Sequence, residues 1–217
     1  MMDKMEKREP RLMIVSAPSG CGKGTIMERA FKENEVFYSV SCTTRGPRPG
    51  EVPGKSYHYI TTEEFEKMIA EDSFLEYAKY NQTYYGTPRK PVEENLAAGK
   101  DVILEIETQG AFKVKELRPE VSSLFILPPS IKELRRRLHK RATEDEETIE
   151  KRVAQAAGEI AQADKYDYVI MNDDLDPAVE DFKAVIDGIR GEREPAVRFS
   201  PKNEEIKNMI REVLENA

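Results

Sequence analysis

The 217-residue sequence predicts an α/β fold, a parallel sheet flanked by helices, and three observations lead there. First, four short runs are almost wholly apolar: Leu12–Val15, Val102–Ile106, Leu124–Leu127 and Tyr168–Met171. Unbroken apolar runs of this length suit strands buried on both faces. Second, each run is followed by residues at helical spacing, the alternation that builds parallel sheets. Third, the first run opens into Ser16-Ala17-Pro18-Ser19-Gly20-Cys21-Gly22-Lys23-Gly24-Thr25, a glycine-rich loop between strand and helix.

Taken in order, the helix after the loop covers Ile26–Phe31. Val36–Thr44 reads as one strand, and Arg45-Gly46-Pro47-Arg48-Pro49-Gly50 as a loop, because Pro and Gly interrupt both periods. Tyr57–Ile60 is a short strand; Thr62 opens a helix to about Glu71; Phe74–Tyr80 alternates as a strand. Tyr84–Pro88 reads as a turn. This block of short strands has the look of a lobe inserted into the helix–strand alternation. The helix from Arg89 stops at Gly99, Gly110–Leu117 is helical and ends before Pro119, and Ser130 caps a basic helix to Lys140. Thr143–Glu147 opens a long helix with acids in its first turn, and Asp176–Ile189 is amphipathic. In the tail, Pro195 is expected to break that helix, and Ser200-Pro201 to cap and start another. There Ile206, Met209, Ile210, Val213 and Leu214 form one apolar stripe, to be buried on the chain's own core or on a partner.

Charged residues make up 35% and no apolar run approaches a membrane span, so neither a membrane location nor a membrane partner is expected. The net charge of −7 argues against general nucleic-acid affinity. The charged start, Met1–Arg11, lacks a secretory signal, and two cysteines make no disulfide framework; a cytoplasmic setting follows. His58 and His139 have no ligand-like spacing, so no metal held by the protein alone is expected.

The loop carries the first chemistry. Gly20 and Gly22 can turn N–H groups onto phosphate oxygens, the following helix adds its positive end, and Lys23 can reach the β- and γ-phosphates of a nucleoside triphosphate. Ala17 stands at the first glycine of the strict G-x-x-x-x-G-K-[ST] pattern, and Gly24 at its hydroxyl position, with Thr25 one place later. The direct Mg²⁺ ligand is therefore open between Thr25 and water. Cys21 is either a favoured thiolate near a helix start or a small loop residue. Arg45 and Arg48 bracket a Gly-Pro turn and are either phosphate forks or solvated charges. Arg135–Arg141 is a dense basic run, from which Arg137 and Arg141, with Arg152, can meet a transferring phosphoryl group. Glu105 and Glu107 fall on one face at the C-terminal end of a strand, where α/β sheets bind ligands.

Together these motifs resemble the guanylate kinase family, of the bacterial type, over roughly residues 11–190. The matching stretches are SAPSGCGKGT (16–25), SCTTRGPRPGEVPGKSYHY (41–59), FLEYA (74–78), YYGTP (84–88), LEIETQGA (104–111), FILPPS (125–130), KRATE (140–144) and YDYVIMNDDLD (166–176). The resemblance implies a P-loop kinase core (1–36, 89–140 and 156–190), an inserted GMP-binding lobe (37–88), a helical lid (141–155) and a helical tail (191–217). It implies transfer of the γ-phosphoryl group of ATP directly to GMP, and by extension dGMP, with Mg²⁺ carried on ATP near Thr25. ATP would lie on Ala17, Pro18, Ser19, Gly20, Cys21, Gly22, Lys23, Gly24 and Thr25, with Asn172 near the adenine. Arg45, Arg48, Tyr57 and Tyr85 would hold the GMP phosphate, and Ser41, Glu76 and Thr87 would read the guanine with Glu107 nearby. Lys23, Arg137, Arg141 and Arg152 would stabilise the transferring charge. Glu105 and Glu107 stand where other members have aspartate, Thr87 where some have serine, and Ala142 where glycine is usual. A monomer and a homodimer are both compatible with the sequence.

Overall fold

A computed structural model describes residues 8–32, 35–48, 50–80, 82–140, 145–194 and 196–215. In chain order it runs β1 (Leu12–Ser16), α1 (Lys23–Ala30), β2 (Phe37–Ser39), β3 (Cys42–Thr43), β4 (His58–Tyr59), α2 (Thr62–Ala70), β5 (Phe74–Tyr80) and β6 (Thr83–Pro88). There follow α3 (Arg89–Ala97), β7 (Val102–Glu105), α4 (Thr108–Leu117), β8 (Ser122–Leu127), α5 (Ile131–Lys140), α6 (Glu146–Ile160), β9 (Tyr168–Met171), α7 (Leu175–Arg190) and α8 (Glu204–Glu215).

The core is a five-stranded sheet in the order β2-β7-β1-β8-β9, with every pairing parallel. Alternate residues of β1 serve different cores. Leu12 and Ile14 pack with Leu104, Phe125 and residues of α5, α6 and α8, while Met13 and Val15 pack with Ile103, Ile126 and residues of α1 and α7. Burial on both faces is why the strands read as apolar runs without alternation. Because all five strands point the same way, the glycine loop after β1, Glu105 at the end of β7 and Asn172 after β9 share one edge of the sheet.

The second sheet, in the order β4-β3-β6-β5, has its own small core of Phe65, Phe74 and Cys42. The Phe65 ring stacks on Phe74 at 4.3 Å and on Tyr84 at 4.9 Å. Two expectations change here. The run Val36–Thr44 is two strands: β2 pairs with β7 in the core, and β3 pairs with β4 and β6 in the lobe. Residues 37–39 thus belong to the core sheet, and the lobe begins beyond them. The side-chain pattern stays strand-like across the break, so it carries no mark of the change of partner. Tyr84–Pro88 is not a turn but part of β6, antiparallel to β5. Gly86 sits in that strand because a Cβ there would come within 2.9 Å of Phe65 and Phe74; the glycine allows a close approach and makes no turn.

Several helix ends follow their capping chemistry. Thr61, one residue before the expected Thr62, forms a capping box with Glu64, and the Ser130 hydroxyl accepts from Glu133 N–H at 3.0 Å. Asp145 caps α6, which crosses the expected lid boundary at 155. Gly191, at φ 74°, ends α7 before proline is reached. Helix α8 starts at Glu204, later than expected, with the Asn203 side chain accepting from Glu205 N–H, while Ser200-Pro201 forms part of a turn. Its stripe is covered by the chain itself: Ile206, Ile210 and Val213 are buried, and Met209 and Leu214 pack partly buried beside residues of α6. At the far end of β7, buried Asp101 accepts from Arg8, from Arg11 N–H and from Arg190 Nε (2.8 Å), joining the N-terminal segment to the end of α7. Among the described residues no helix is long and apolar enough to cross a membrane.

Candidate active site

The glycine loop leaves β1 and turns into α1 through two left-handed residues, Gly20 and Gly22, each at φ 90°. Both also sit close to neighbouring side chains. A Cβ on Gly22 would stand 2.6 Å from Asn172 Nδ2, and one on Gly20 would stand 3.0 Å from Leu138. Buried Asn172 donates Nδ2–H to the Cys21 carbonyl at 2.6 Å, so the end of β9 braces the loop. The Cys21 thiol is buried, faces the Ile126 carbonyl at 3.4 Å, and is pushed up to about 12 by burial. Cys21 thus sits as a small buried loop residue, its thiol disfavoured from ionising by desolvation, with Arg137 and Lys23 opposing. Ala17 and Pro18 turn away from β1, Cys21 N–H closing on the Pro18 carbonyl at 3.1 Å, and Gly24 and Thr25 lie in the first turn of α1.

Lys23, the first residue of α1, places Nζ 3.3 Å from Glu105 Oε1. Glu105 in turn lines an open cleft between the two sheets. Ser41, Tyr57, Glu76, Tyr85, Glu107 and Gln109 line the same cleft. Glu76 is buried, and the buried Thr87 hydroxyl donates to its Oε1 at 2.7 Å. Burial raises the Glu76 carboxyl, opposed by the Thr87 hydrogen bond and by Lys113. Glu107, reached by solvent but crowded by protein on its other sides, is also raised, with Lys23 opposing.

At the mouth of the cleft the Arg45 guanidinium lies 5.0 Å from the Tyr57 ring, which meets Tyr85 edge-on at 5.9 Å. Glu51 holds Arg45 with two hydrogen bonds of 2.7 and 2.6 Å, and also accepts from Tyr59 OH and from Arg48 N–H. The Glu51 carboxyl is held down to about 2, first of all by Arg45. Arg48 itself is exposed. Sequence reasoning missed Glu51; its six-residue offset from Arg45 has no meaning until the Gly-Pro turn folds the chain back.

The basic helix α5 is less free than its composition suggests. Arg136 and Arg137 both pair with Glu133, and Arg135 with Glu150. Arg137 also donates to the backbone carbonyls of Asn172 (3.2 Å) and Asp173 (3.5 Å), beside the loop brace. From α6, Arg152 donates to the Ser19 hydroxyl of the loop. Arg141 lies outside the described residues. A missed carboxylate, Glu159, sits on the face of α6 that carries Arg152 and Gln155. It accepts from Gln155 at 2.7 Å and is raised to about 7 by burial, with Glu107 adding and Lys23 opposing.

A braced glycine loop with a lysine, on the carboxyl edge of a parallel sheet and facing a second sheet across an acid-lined cleft, defines a P-loop phosphotransferase fold with an inserted second sheet. The guanylate kinase family profile matches residues 9–188. A guanylate kinase of Carboxydothermus hydrogenoformans is 55% identical over 176 residues, 81% of this chain and 86% of that protein. One of Caldanaerobacter subterraneus subsp. tengcongensis is 52% identical over 181 residues, 83% and 88% respectively. The crystal structure of guanylate kinase from Anaplasma phagocytophilum superposes with a TM-score of 0.69 at 35% identity, covering 87% of this chain and 88% of that one. The chain belongs to the guanylate kinase family and is an enzyme, a nucleoside monophosphate kinase.

Proposed function

We propose a division of labour for the phosphorylation of GMP by ATP, the reaction of the family to which this chain belongs. The enzyme catalyses that reaction; the residue roles are our reading. The phosphates of ATP lie on the loop from Ala17 to Thr25, with Asn172 bracing the loop beside the adenine. Guanine enters the cleft with its N1–H and 2-amino group toward Glu76, flanked by Ser41, Thr87 and Glu107. Arg45, Arg48, Tyr57 and Tyr85 hold the GMP phosphate, with Glu51 keeping Arg45 in place. The GMP phosphate oxygen attacks the γ-phosphorus in line, so no covalent enzyme intermediate is needed. Lys23, with Arg137, Arg141 and Arg152 around the lid at 141–155, stabilises the charge spread over the transferring oxygens.

The observation that carries this reading is the contact between Lys23 and Glu105. It joins the phosphate loop to the acceptor cleft, so a donor on one and an acceptor in the other meet at one point. Phosphate oxygens entering the site compete with Glu105 for Lys23.

The oxygen donors present fit Mg²⁺, a hard cation that keeps several waters: the Thr25 hydroxyl stands exposed in the first turn beside the loop. Bound with ATP, the ion would neutralise phosphate charge. Nothing in the proposed reading touches the ribose 2′-hydroxyl, so dGMP is accepted as well. The covered tail stripe supports a monomer, and two free, buried cysteines support a cytoplasmic location.

The test is ADP formation from ATP with GMP, dGMP, AMP, UMP and dTMP in turn. GMP and dGMP should be phosphorylated, and AMP disfavoured by up to ~10⁴ in kcat/KM, because it leaves a buried carboxylate unpaired. Equal use of AMP would refute the guanine assignment. Binding of GMP without turnover would make the chain a binding module.

A further inference from the structure

Glu76 is fixed from two sides, and one of them is not a hydrogen bond. Its Oε1 accepts from Thr87 at 2.7 Å. Its Oε2 lies over Gly110, where an added Cβ would stand 2.7 Å from Oε2 and 3.1 Å from the carboxyl carbon. Ordinary contact begins at 3.4 Å, so a methyl group at 110 requires the carboxylate to retreat by about 0.7 Å. Little else is free to yield. Lys113, almost one turn further along α4, donates to the Tyr77 carbonyl at 2.7 Å and clamps the helix to β5 beside Glu76. Nor does the backbone ask for glycine. Gly110 lies in the first turn of α4 outside the left-handed region, where alanine is favoured, by up to about the 1 kcal/mol of a helix interior. A glycine that local helix energetics disfavour, pressed against the carboxylate at the floor of the cleft, has its reason in that contact.

We propose that Gly110 is a positioning residue for base selection: its missing Cβ sets the depth and tilt at which Glu76 offers its carboxylate to guanine. The proposal rests on the reading of Glu76 given above. Gly110 itself touches no substrate and acts only through Glu76.

Steady-state kinetics of the full-length enzyme test it, with GMP varied at saturating ATP and the reverse. Gly110→Ala should lower kcat/KM for GMP by ~10–100-fold, mostly through KM, as expected for a misplacement of somewhat under 1 Å. The KM for ATP should stay within about twofold, and the melting temperature should hold or rise, because alanine favours the helix. A merely structural glycine would move both substrates together or neither. Glu76→Gln is measured beside it. If that variant is impaired for GMP while Gly110→Ala behaves as wild type, the proposal is overturned. If Glu76→Gln uses GMP normally, the guanine reading fails and the proposal falls with it. Should Gly110→Ala not fold, the Glu76→Asp background decides. The shorter acid leaves room for the methyl, so adding Gly110→Ala there should cost less than about threefold. A double variant that fails to fold, or loses as much as predicted for the single one, overturns the proposal.

Discussion

Glu76→Gln preserves the size of the side chain and its contact with Thr87, and changes only what faces the base. The Thr87 hydroxyl can donate to the amide oxygen as it now does to Oε1 at 2.7 Å. The amide nitrogen then stands at the Oε2 position and presents N–H to guanine, which offers N1–H and N2–H in return. One charge-assisted hydrogen bond is lost, ~1.5–3 kcal/mol, and a buried donor is left unsatisfied, ~1–3 kcal/mol. Together these are worth ~2.5–6 kcal/mol, or ~10²–10⁴ in kcat/KM for GMP. Stability should move the other way. Burial raises the Glu76 carboxyl, so the folded state binds that proton more tightly than the unfolded chain. The stability tied to that proton is full below the unfolded value, ~4.3, and lost as pH rises through the raised folded value. At neutral pH the ionised carboxylate is therefore a cost that Gln does not carry, and the variant should melt at the same temperature or higher. Initial rates of ADP formation, with GMP and ATP varied separately, supply the assay alongside thermal melts. A kcat/KM for GMP within about threefold of wild type would refute the reasoning, since a lost charge-assisted bond should exceed that.

Lys23→Ala should fold normally and lose at least ~10²-fold in kcat, the scale of a removed charge stabiliser; wild-type turnover would take Lys23 out of the mechanism. Asp101→Asn weakens the carboxylate that buried Arg190 shares with Arg8 at the end of β7 remote from the site, leaving Glu35, 2.9 Å from Arg190 Nη1, as its remaining ion pair. It should cost ~1.5–3 kcal/mol, about 5 °C in melting temperature, with kcat at 25 °C unchanged. Burial alone would raise the Asp101 carboxyl, but hydrogen bonds from Arg8, Arg11 N–H and Arg190 hold it below its usual range. Its contribution is therefore present above the unfolded value, ~4, and lost as pH falls through the folded one; an Asn variant as stable as wild type at neutral pH would show that the network contributes nothing. Deleting the chain after Arg193 strips Ile206, Ile210 and Val213 from the core, at ~1.5–3 kcal/mol each by burial. The truncated protein should lose cooperative thermal unfolding near the wild-type temperature, and an unchanged melt would show that α8 is not part of the folded unit.

Four of the five core strands were legible because they are buried on both faces, which makes a continuous apolar run, and because each is followed by a helix with readable ends; the edge strand β2 leads into β3 instead. The lobe was legible only in outline. Gly86 and Pro88 carry the marks of a turn, yet Gly86 is there for the rings of Phe65 and Phe74 and Pro88 for the entry into α3. The change of sheet between Ser39 and Cys42 left no mark, because both halves suit a strand. In the site, the residue types were readable from local motifs, but their partners were not. Glu51 finds Arg45 through a turn, Asn172 finds Cys21 across 151 positions, and Arg152 reaches Ser19 from another helix. Such pairings are set by topology, which local spacing does not encode.

The break between β2 and β3 also bears on how the chain assembles. Strand β2 ends at Ser39 and α3 begins at Arg89, and both return to pack in the core, so residues 40–88 form a loop whose ends must be brought together. For a flexible chain of that length the length-dependent part of the closure entropy is about 3 kcal/mol. Inside the loop, however, Cys42 pairs with Gly86 across the β3–β6 ladder, a few residues from the two exits. Once that ladder exists, the effective loop shrinks to the few residues outside it, and most of the entropic barrier has already been met within the lobe. The second sheet is thus a clasp for the first, with a local hairpin, β5–β6, available to start it.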